Sequence, residues 1–349
     1  MTTFVMFIVY NINYINAIGG KKMKNNLSKN INLMKAAVLN KFGEANQLMT
    51  CYIPIPDIAE NDVLIKIEYA GVGQWDIFER EGGYAEMLGM EIDFPYVIGS
   101  EGSGTIVSKG ENVKCFNIGD KVIATGFLNP KGGFYAEYVA IDYKYLSLIP
   151  ECINIKDAGV ISGVGTTALR GLEDTLSLKN GESIIIFGAS GGIGHLAVQL
   201  AKCKGARVFA IASGEDGVQM VRTLGIDNVI NGYKDDILST ALSYAPKGFD
   251  AALLTAGGDK ANLVTQCVKN GGRIAYPNGI YPVPTVSNEL NMIGYNGEPD
   301  ADIINRFNNY IKTGNIKAYI DKTFLLDEAS IAHIALEKHY LGKLCLKIS

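Results

Sequence analysis

The sequence predicts an α/β protein in two parts, an antiparallel β-barrel-like domain followed by a doubly wound parallel-sheet domain. Three observations predict it. Up to about Asp157 the chain reads as short strands and turns with no long helical period. Beyond that point strands and helices alternate. One dense glycine loop, Gly188 to Gly194, sits between an apolar strand and a helix. A length of 349 residues suits two cores better than one.

The first 33 residues stand apart. Phe4 to Tyr10 is apolar but too short to span a bilayer. Lys21, Lys22 and Lys24 follow this run, whereas a secretory signal would place positive charge before it. Asn11 to Asn32 is rich in asparagine and reads as disordered, so Met34 is expected to open the folded protein. Organelle targeting is the alternative reading of this segment.

From Met34 the strands follow in order. Lys35 to Leu39 is apolar, and Val63 to Tyr69 alternates like a half-buried strand. Gly104 to Val107 and Lys121 to Ala124 continue the pattern across a Gly119-Asp120 turn, and Tyr135 to Ile141 adds another strand. Helical spacing then runs from Asp157 to Leu176. Ser183-Ile-Ile-Ile-Phe187 is continuously apolar, as a parallel strand buried on both faces must be. Helix Ile193 to Lys204, strand Arg207 to Ala212 and helix Asp216 to Leu224 come next. Strand Asn228 to Ile230, helix Asp236 to Tyr244 and strand Asp250 to Leu254 continue the alternation. Helix Lys260 to Lys269 and strand Gly272 to Tyr276 close it. The tail holds helix Ala301 to Thr313, strand Lys322 to Leu326, a second helix with His333 and His339, and strand Leu344 to Ile348. It is expected to return to the first domain.

Composition removes several classes of function. A formal net charge of -4 gives no broad cationic surface, so neither nucleic acid nor an anionic membrane is an expected partner. The 40 glycines lack a collagen-like period. Six cysteines without a C-x-x-C pair read as free thiols in a reducing, cytoplasmic setting. Only three histidines are present, which leaves little material for a metal site.

The glycine loop carries the chemistry. Gly188, Ala189, Ser190, Gly191, Gly192, Ile193 and Gly194 lie directly after a strand and directly before a helix. Glycine there permits a sharp turn, a close backbone approach to a pyrophosphate, and helix-on-strand packing. Free amides and the positive end of the helix dipole hold the anion. An NAD site places an acidic residue at the tip of the second strand, but here the tip is Ala212-Ser213-Gly214. Ser213 and Tyr233, with Lys234 nearby, offer donors to a 2′-phosphate, although Glu215 and Asp216 follow closely. The reading favours NADPH, with NADH the alternative. Ala256, Asn278 and Gly279, after the fourth and fifth strands, are further expected cofactor contacts.

Residues 34 to 349 resemble the medium-chain dehydrogenase/reductase superfamily. The resemblance rests on Met34-Lys-Ala-Ala-Val-Leu39, Gly71-Val-Gly-Gln-Trp-Asp76, Gly99-Ser-Glu-Gly-Ser-Gly104 and Gly132-Gly-Phe-Tyr-Ala-Glu-Tyr138. The glycine loop, Gly271-Gly-Arg273 and Gly342-Lys343 complete it. Within the superfamily the sequence is most similar to the zinc-independent quinone oxidoreductase and zeta-crystallin branch. This implies a GroES-like β-barrel catalytic domain over residues 34–156, a Rossmann domain over 157–295, and a return to the catalytic domain over 296–349. It also implies a homodimer acting on a small-molecule quinone or enone.

Zinc-dependent members hold catalytic zinc with Cys, His and Cys, and the matching positions here are Gly73, Ser100 and Gly163. None offers a thiolate or imidazole. Gly126 to Gly133 also lacks the cysteines of a structural zinc lobe. Without a Lewis acid, alcohol oxidation loses its main assistance. Hydride transfer to an electron-poor quinone or α,β-unsaturated carbonyl needs mainly positioning and enolate stabilisation.

The resemblance also names residues. Relatives often carry Asn at the position of Gly73, for which Gln74 could substitute. Tyr84 matches a tyrosine of the quinone pocket and could stack on an acceptor or donate a proton. Thr167, expected at a helix start, matches a nicotinamide contact. Lys343 is expected either at the cofactor edge or in solvent. Asp76, Glu101 and His195 are expected to be structural, and His333 and His339 to lie on a solvated helix face. An enoyl-thioester reductase and a silent NADPH-binding scaffold or RNA-binding protein are the alternative functions.

Overall fold

Three consecutive isoleucines explain the parallel half. In the computed structural model, which describes residues 32–286, 290–314 and 316–349, Ser183–Phe187 is the third strand of a six-stranded sheet. Ile184 and Ile186 face one apolar core and Ile185 the other. A strand covered on both faces needs apolar residues at both parities. The sheet order is Val229–Asn231, Arg207–Ala212, Ser183–Phe187, Phe249–Leu254, Val268–Pro277, Asn291–Tyr295. All five pairings are parallel. The strand order reverses beside Ser183–Phe187, and ligands of such sheets bind at that reversal, outside the carboxyl ends of the strands.

The antiparallel half is built around one long strand, Asp62–Val72. Glu101–Lys109 and Tyr138–Asp142 pair with it, and Lys121–Thr125 and Leu146–Leu148 extend the sheet. The tail returns as expected. Lys343–Lys347 pairs antiparallel with Asp62–Val72, with Leu344 opposite Val72, and Ile320–Leu325 lies parallel on its other side. A small sheet of Met49–Pro54, Leu33–Leu39 and Tyr96–Val97 completes the half. One apolar core joins Ile123 and Cys345 of the seven-stranded sheet to Ile184 and Leu253 of the parallel sheet.

Several expectations need correction. The helix expected over Asp157 to Leu176 is three pieces: Ile155–Ala158, Ser162–Leu169 and a wider-wound turn, Arg170–Thr175. The helix expected to Lys269 ends at Thr265, because Cys267 and Val268 already pair with Phe249. Two short helices, Gln74–Arg80 and Gly83–Leu88, stand where only strands and turns were expected. The extension of residues 1–33 lies outside the described residues apart from Asn32 and Leu33, and Leu33 opens the first strand. Among the described residues no helix is long and apolar enough to cross a membrane.

Helix Ser162–Leu169 packs against both Gly192–Cys203 and Ala301–Gly314. A Cβ at Gly165 would lie 2.0 Å from the Phe307 ring. Gly165→Ala is therefore expected to destabilise the fold by about 1–3 kcal/mol, as overpacked cores do. An unchanged thermal midpoint would contradict this helix packing.

Candidate active site

The loop after Ser183–Phe187 is shaped by glycine where nothing else fits. Gly188 has φ 79°, and its amide and that of Ala189 donate to the Ile211 carbonyl at 3.1 and 2.9 Å. A Cβ at Gly194 would lie 2.0 Å from the Gly188 oxygen. Helix Gly192–Cys203 starts with no side-chain cap and no acidic residue in its first turn. Its first amides are thus left for an anion, at the end of the sheet where the order reverses. A dinucleotide pyrophosphate fits this cradle. Ser190 and Ser213, whose hydroxyls are 3.0 Å apart, tie the loop to the tip of the second strand. Ile193 is half-buried at the same helix start.

At that tip Gly214 has φ 73°, and both following carboxylates are engaged. Glu215 Oε1 accepts from Asn231 Nδ2 at 2.9 Å and lies 3.2 Å from Lys234 Nζ. These partners hold its carboxyl below the usual range. Asp216 Oδ2 lies 2.9 Å from His339 Nε2, and that contact holds it low in turn. Tyr233 is 68% exposed, with Lys260 Nζ 4.9 Å from its ring centroid. Ala256, Asn278 and Gly279 are exposed after their strands, and Asn278 Nδ2 donates to Asn296 Oδ1 at 2.7 Å.

Below the loop lies a buried ion pair. Lys343 Nζ is 2.8 Å from Glu101 Oε1, and the two side chains are 2% and 1% exposed. The contact is ionic without the alignment of a hydrogen bond, so the ammonium protons lack a well-directed acceptor. Glu101 Oε2 accepts from the Gly163 amide at 2.7 Å and from Ser162 Oγ at 3.3 Å. Lys343 Nζ also lies 4.8 Å from the Trp75 ring centroid.

Four glycines make room for the pair. A Cβ at Gly71 would sit 2.4 Å from Glu101 Oε1, and one at Gly163 3.3 Å from Glu101 Oε2. At Gly73 it would sit 3.3 Å from Lys343 Nζ, and at Gly192 3.4 Å from Lys343 Cδ. Gly73 and Gly163 are two of the positions that the sequence resemblance matches to zinc-ligating cysteines. The ammonium and the carboxylate thus stand against the backbone that would carry those thiolates. Ser100 and these glycines do not fit a zinc ion, and no cluster of three or more His, Cys, Asp or Glu suited to a metal occurs among the described residues.

The other expected site residues fare differently. Tyr84 is half-buried on helix Gly83–Leu88, its ring edge-on to Phe78 and Phe127 with centroids 4.6 Å away in each case. Burial, then the charge of Asp76 and Glu79, pushes its phenol up to about 12. Gln74 turns its amide to the Leu336 carbonyl at 2.9 Å, away from a role as the missing Asn. Thr167 lies inside its helix rather than at the start, and its hydroxyl donates to Gly163 O at 2.7 Å. Lys343 is not in solvent.

The histidines also differ from expectation. His333 is fully buried rather than on a solvated face, because helix Ala329–Leu336 turns it towards Arg80 and Tyr135. Burial pulls its pKa down to about 3 and that of His195 to about 4, so both rings are neutral. His195 Nδ1 lies 3.1 Å from Gly191 O. His339 lies beyond the helix end, against Asp216.

Known proteins of the same fold share most of the chain. Residues 59–151 match the family described as alcohol dehydrogenase GroES-like domain, and residues 192–292 the family described as zinc-binding dehydrogenase. An alcohol dehydrogenase of Geobacillus stearothermophilus is 30% identical over 292 residues, 76% of this chain and 84% of its own. A chloroplastic NADPH-dependent alkenal/one oxidoreductase of Arabidopsis thaliana is 30% identical over 295 residues, 82% and 72% respectively. The solved structure of the quinone oxidoreductase from Coxiella burnetii superposes with a TM-score of 0.79 at 28% identity, covering 91% of this chain and 100% of that one. The chain belongs to the medium-chain dehydrogenase/reductase superfamily, in the branch that holds the quinone oxidoreductases. It has the glycine loop of a nicotinamide-dependent oxidoreductase.

Removing one charge of the buried pair leaves the other uncompensated. Lys343→Met or Glu101→Gln alone is expected to cost about 3–5 kcal/mol of stability, and the double variant much less than their sum. Additive losses in thermal unfolding would contradict the coupling.

Proposed function

We propose that this protein is an NADPH-dependent reductase of quinones or α,β-unsaturated carbonyls that works without zinc. The observation that carries the reading is the Lys343–Glu101 pair standing against Gly73 and Gly163. Relatives named for alkenals and for quinones support the acceptor class, and the NADPH-dependent relative supports the cofactor.

Bound nicotinamide would supply the hydride. The amides at the start of helix Gly192–Cys203 hold the pyrophosphate, and Asn278, Gly279 and Ala256 border the ribose end. Ser213, Tyr233 and Lys234 receive the 2′-phosphate. Glu215 and Asp216 stay ionised beside it, and Glu215 shares Lys234 with the phosphate. Residues 34–156 and 296–349 form the catalytic part and residues 157–295 the cofactor part. Lys343 and Glu101 form a compensated pair that fixes the wall of the site at Gly73 and Gly163. Tyr84, at an aromatic edge made with Phe78 and Phe127, stacks on a planar acceptor and donates the proton that completes reduction.

The reading is tested by following nicotinamide absorbance with quinones, enones and enoyl thioesters. Quinones or enones are expected to be reduced, with NADPH preferred by about tenfold or more, a difference of about 1.4 kcal/mol. NADPH binding without turnover of any acceptor would overturn the enzyme reading, and equal rates with NADH the cofactor preference. Tyr84→Phe is expected to lower kcat by about 10²–10⁴-fold with little change in NADPH affinity. An unchanged kcat would remove Tyr84 from the chemistry.

A further inference from the structure

One histidine reaches the cofactor part from the catalytic part. Residues 337–342 link helix Ala329–Leu336 to strand Lys343–Lys347 and are anchored on both sides. Gln74 Nε2 donates to the Leu336 carbonyl at 2.9 Å and to the Tyr340 hydroxyl at 3.4 Å. The Gly342 amide donates to Ser190 O, on the glycine loop, at 2.8 Å. Between these anchors His339 Nε2 stands 2.9 Å from Asp216 Oδ2, with the imidazole half exposed. A Cβ at Gly214 would lie 3.9 Å from His339 Cε1. The ring edge therefore rests on the tip of the second strand, beside Ser213.

The charges at that tip are unbalanced. Asp216 is held low, first by its contact with His339, so its carboxylate accepts and Nε2 carries the hydrogen. Asp216 Oδ1 accepts from the Gly217 amide at 2.9 Å, so both of its oxygens are engaged. Glu215 is held low first by Asn231 and then by Lys234. Lys234 Nζ, 3.2 Å from Glu215, is the only ammonium paired with either carboxylate among the described residues. On the histidine's own segment Glu337 and Lys338 are exposed and opposite in sign, and Tyr340 is half-buried.

A 2′-phosphate brings nearly two more negative charges to this tip. Two carboxylates and one ammonium repel it, so one further cation stabilises the complex. A neutral His339 cannot serve, because its Nδ1 then turns a lone pair towards the phosphate. Once protonated, the ring donates from both nitrogens.

We propose that His339 sets the preference between nicotinamide cofactors, taking up a proton when NADPH binds and bridging Asp216 to the 2′-phosphate. The ligand rests on the NADPH reading above; the place of the imidazole does not. The Nε2–H bond stays directed at Asp216. A proton from solvent forms the Nδ1–H bond, which is donated to a phosphate oxygen, and nothing is oxidised or reduced. NADH carries an uncharged 2′-hydroxyl at this point, so its binding leaves His339 neutral. The acidic residue that would accept from that hydroxyl in an NAD site is already occupied by His339 and Gly217.

Calorimetric titration of the full-length protein with NADPH and with NADH tests the bridge. It is done at about pH 8, where a free imidazole is mostly neutral and a phosphate monoester fully ionised. Repeating each titration in buffers of different ionisation enthalpy counts the protons exchanged. Net proton uptake is expected with NADPH and none with NADH. His339→Gln is expected to abolish the uptake and to weaken NADPH about tenfold more than NADH, as losing one charge-assisted hydrogen bond does. No uptake with NADPH, equal uptake with both nucleotides, or uptake that survives in His339→Gln overturns the bridge. So does an NADPH affinity unchanged in His339→Gln. Equal wild-type affinities for the two nucleotides overturn the NADPH preference and the bridge as its cause. Uptake with NADPH that His339→Gln abolishes, in a protein that reduces no acceptor, supports the bridge and overturns only the reductase reading.

Discussion

A lysine on the last strand and a glutamate on a central one, 2.8 Å apart and closed off from water, set the terms for everything around them. Such a pair tolerates no intrusion, which is why Gly71, Gly73, Gly163 and Gly192 surround it. It also leaves no room for a larger residue at Gly73. A side chain there would press on the Trp75 ring at 2.9 Å and on the ammonium at 3.3 Å. The pair joins the two halves as well. Gly342 donates to Ser190 O at 2.8 Å, so the strand that brings Lys343 also braces the dinucleotide loop.

The charge around the cleft is layered. At its floor lies the compensated pair Lys343–Glu101. Beside it, Arg80, His333, Tyr135 and Asp76 form one run of contacts ending at the Gly73 amide. The run has a direction: guanidinium to imidazole, imidazole to phenol, phenol to carboxylate. Neutral His333 can occupy the middle only because burial keeps it unprotonated.

Much of the fold was legible because its signals are local. Ile184 to Ile186 announced a strand buried on both faces, and Gly188 to Gly194 announced the loop. Helix Gln74–Arg80 was not legible, since about two turns of helix after Gly73 are too short to show a period. Strand Asn291–Tyr295 was missed because Asn291 and Gly294 are poor strand formers, and pairing with Arg273 to Pro277 makes the strand. His333 was misread because its partners, Arg80 and Tyr135, are 253 and 198 residues away. That Gly73, Ser100 and Gly163 offer no metal-ligating side chain could be read from the residues alone. The ion pair standing against them could not, because Lys343 and Glu101 meet only once the tail has paired with Asp62–Val72.

The proposed reductase works without zinc, with the Lys343–Glu101 pair fixed at its site. Elemental analysis of purified, active protein, with reductase activity measured before and after a strong chelator, tests it most directly. The account predicts far less than one zinc per chain and an unchanged rate. One zinc per chain, with activity lost on chelation and restored by zinc, would contradict it.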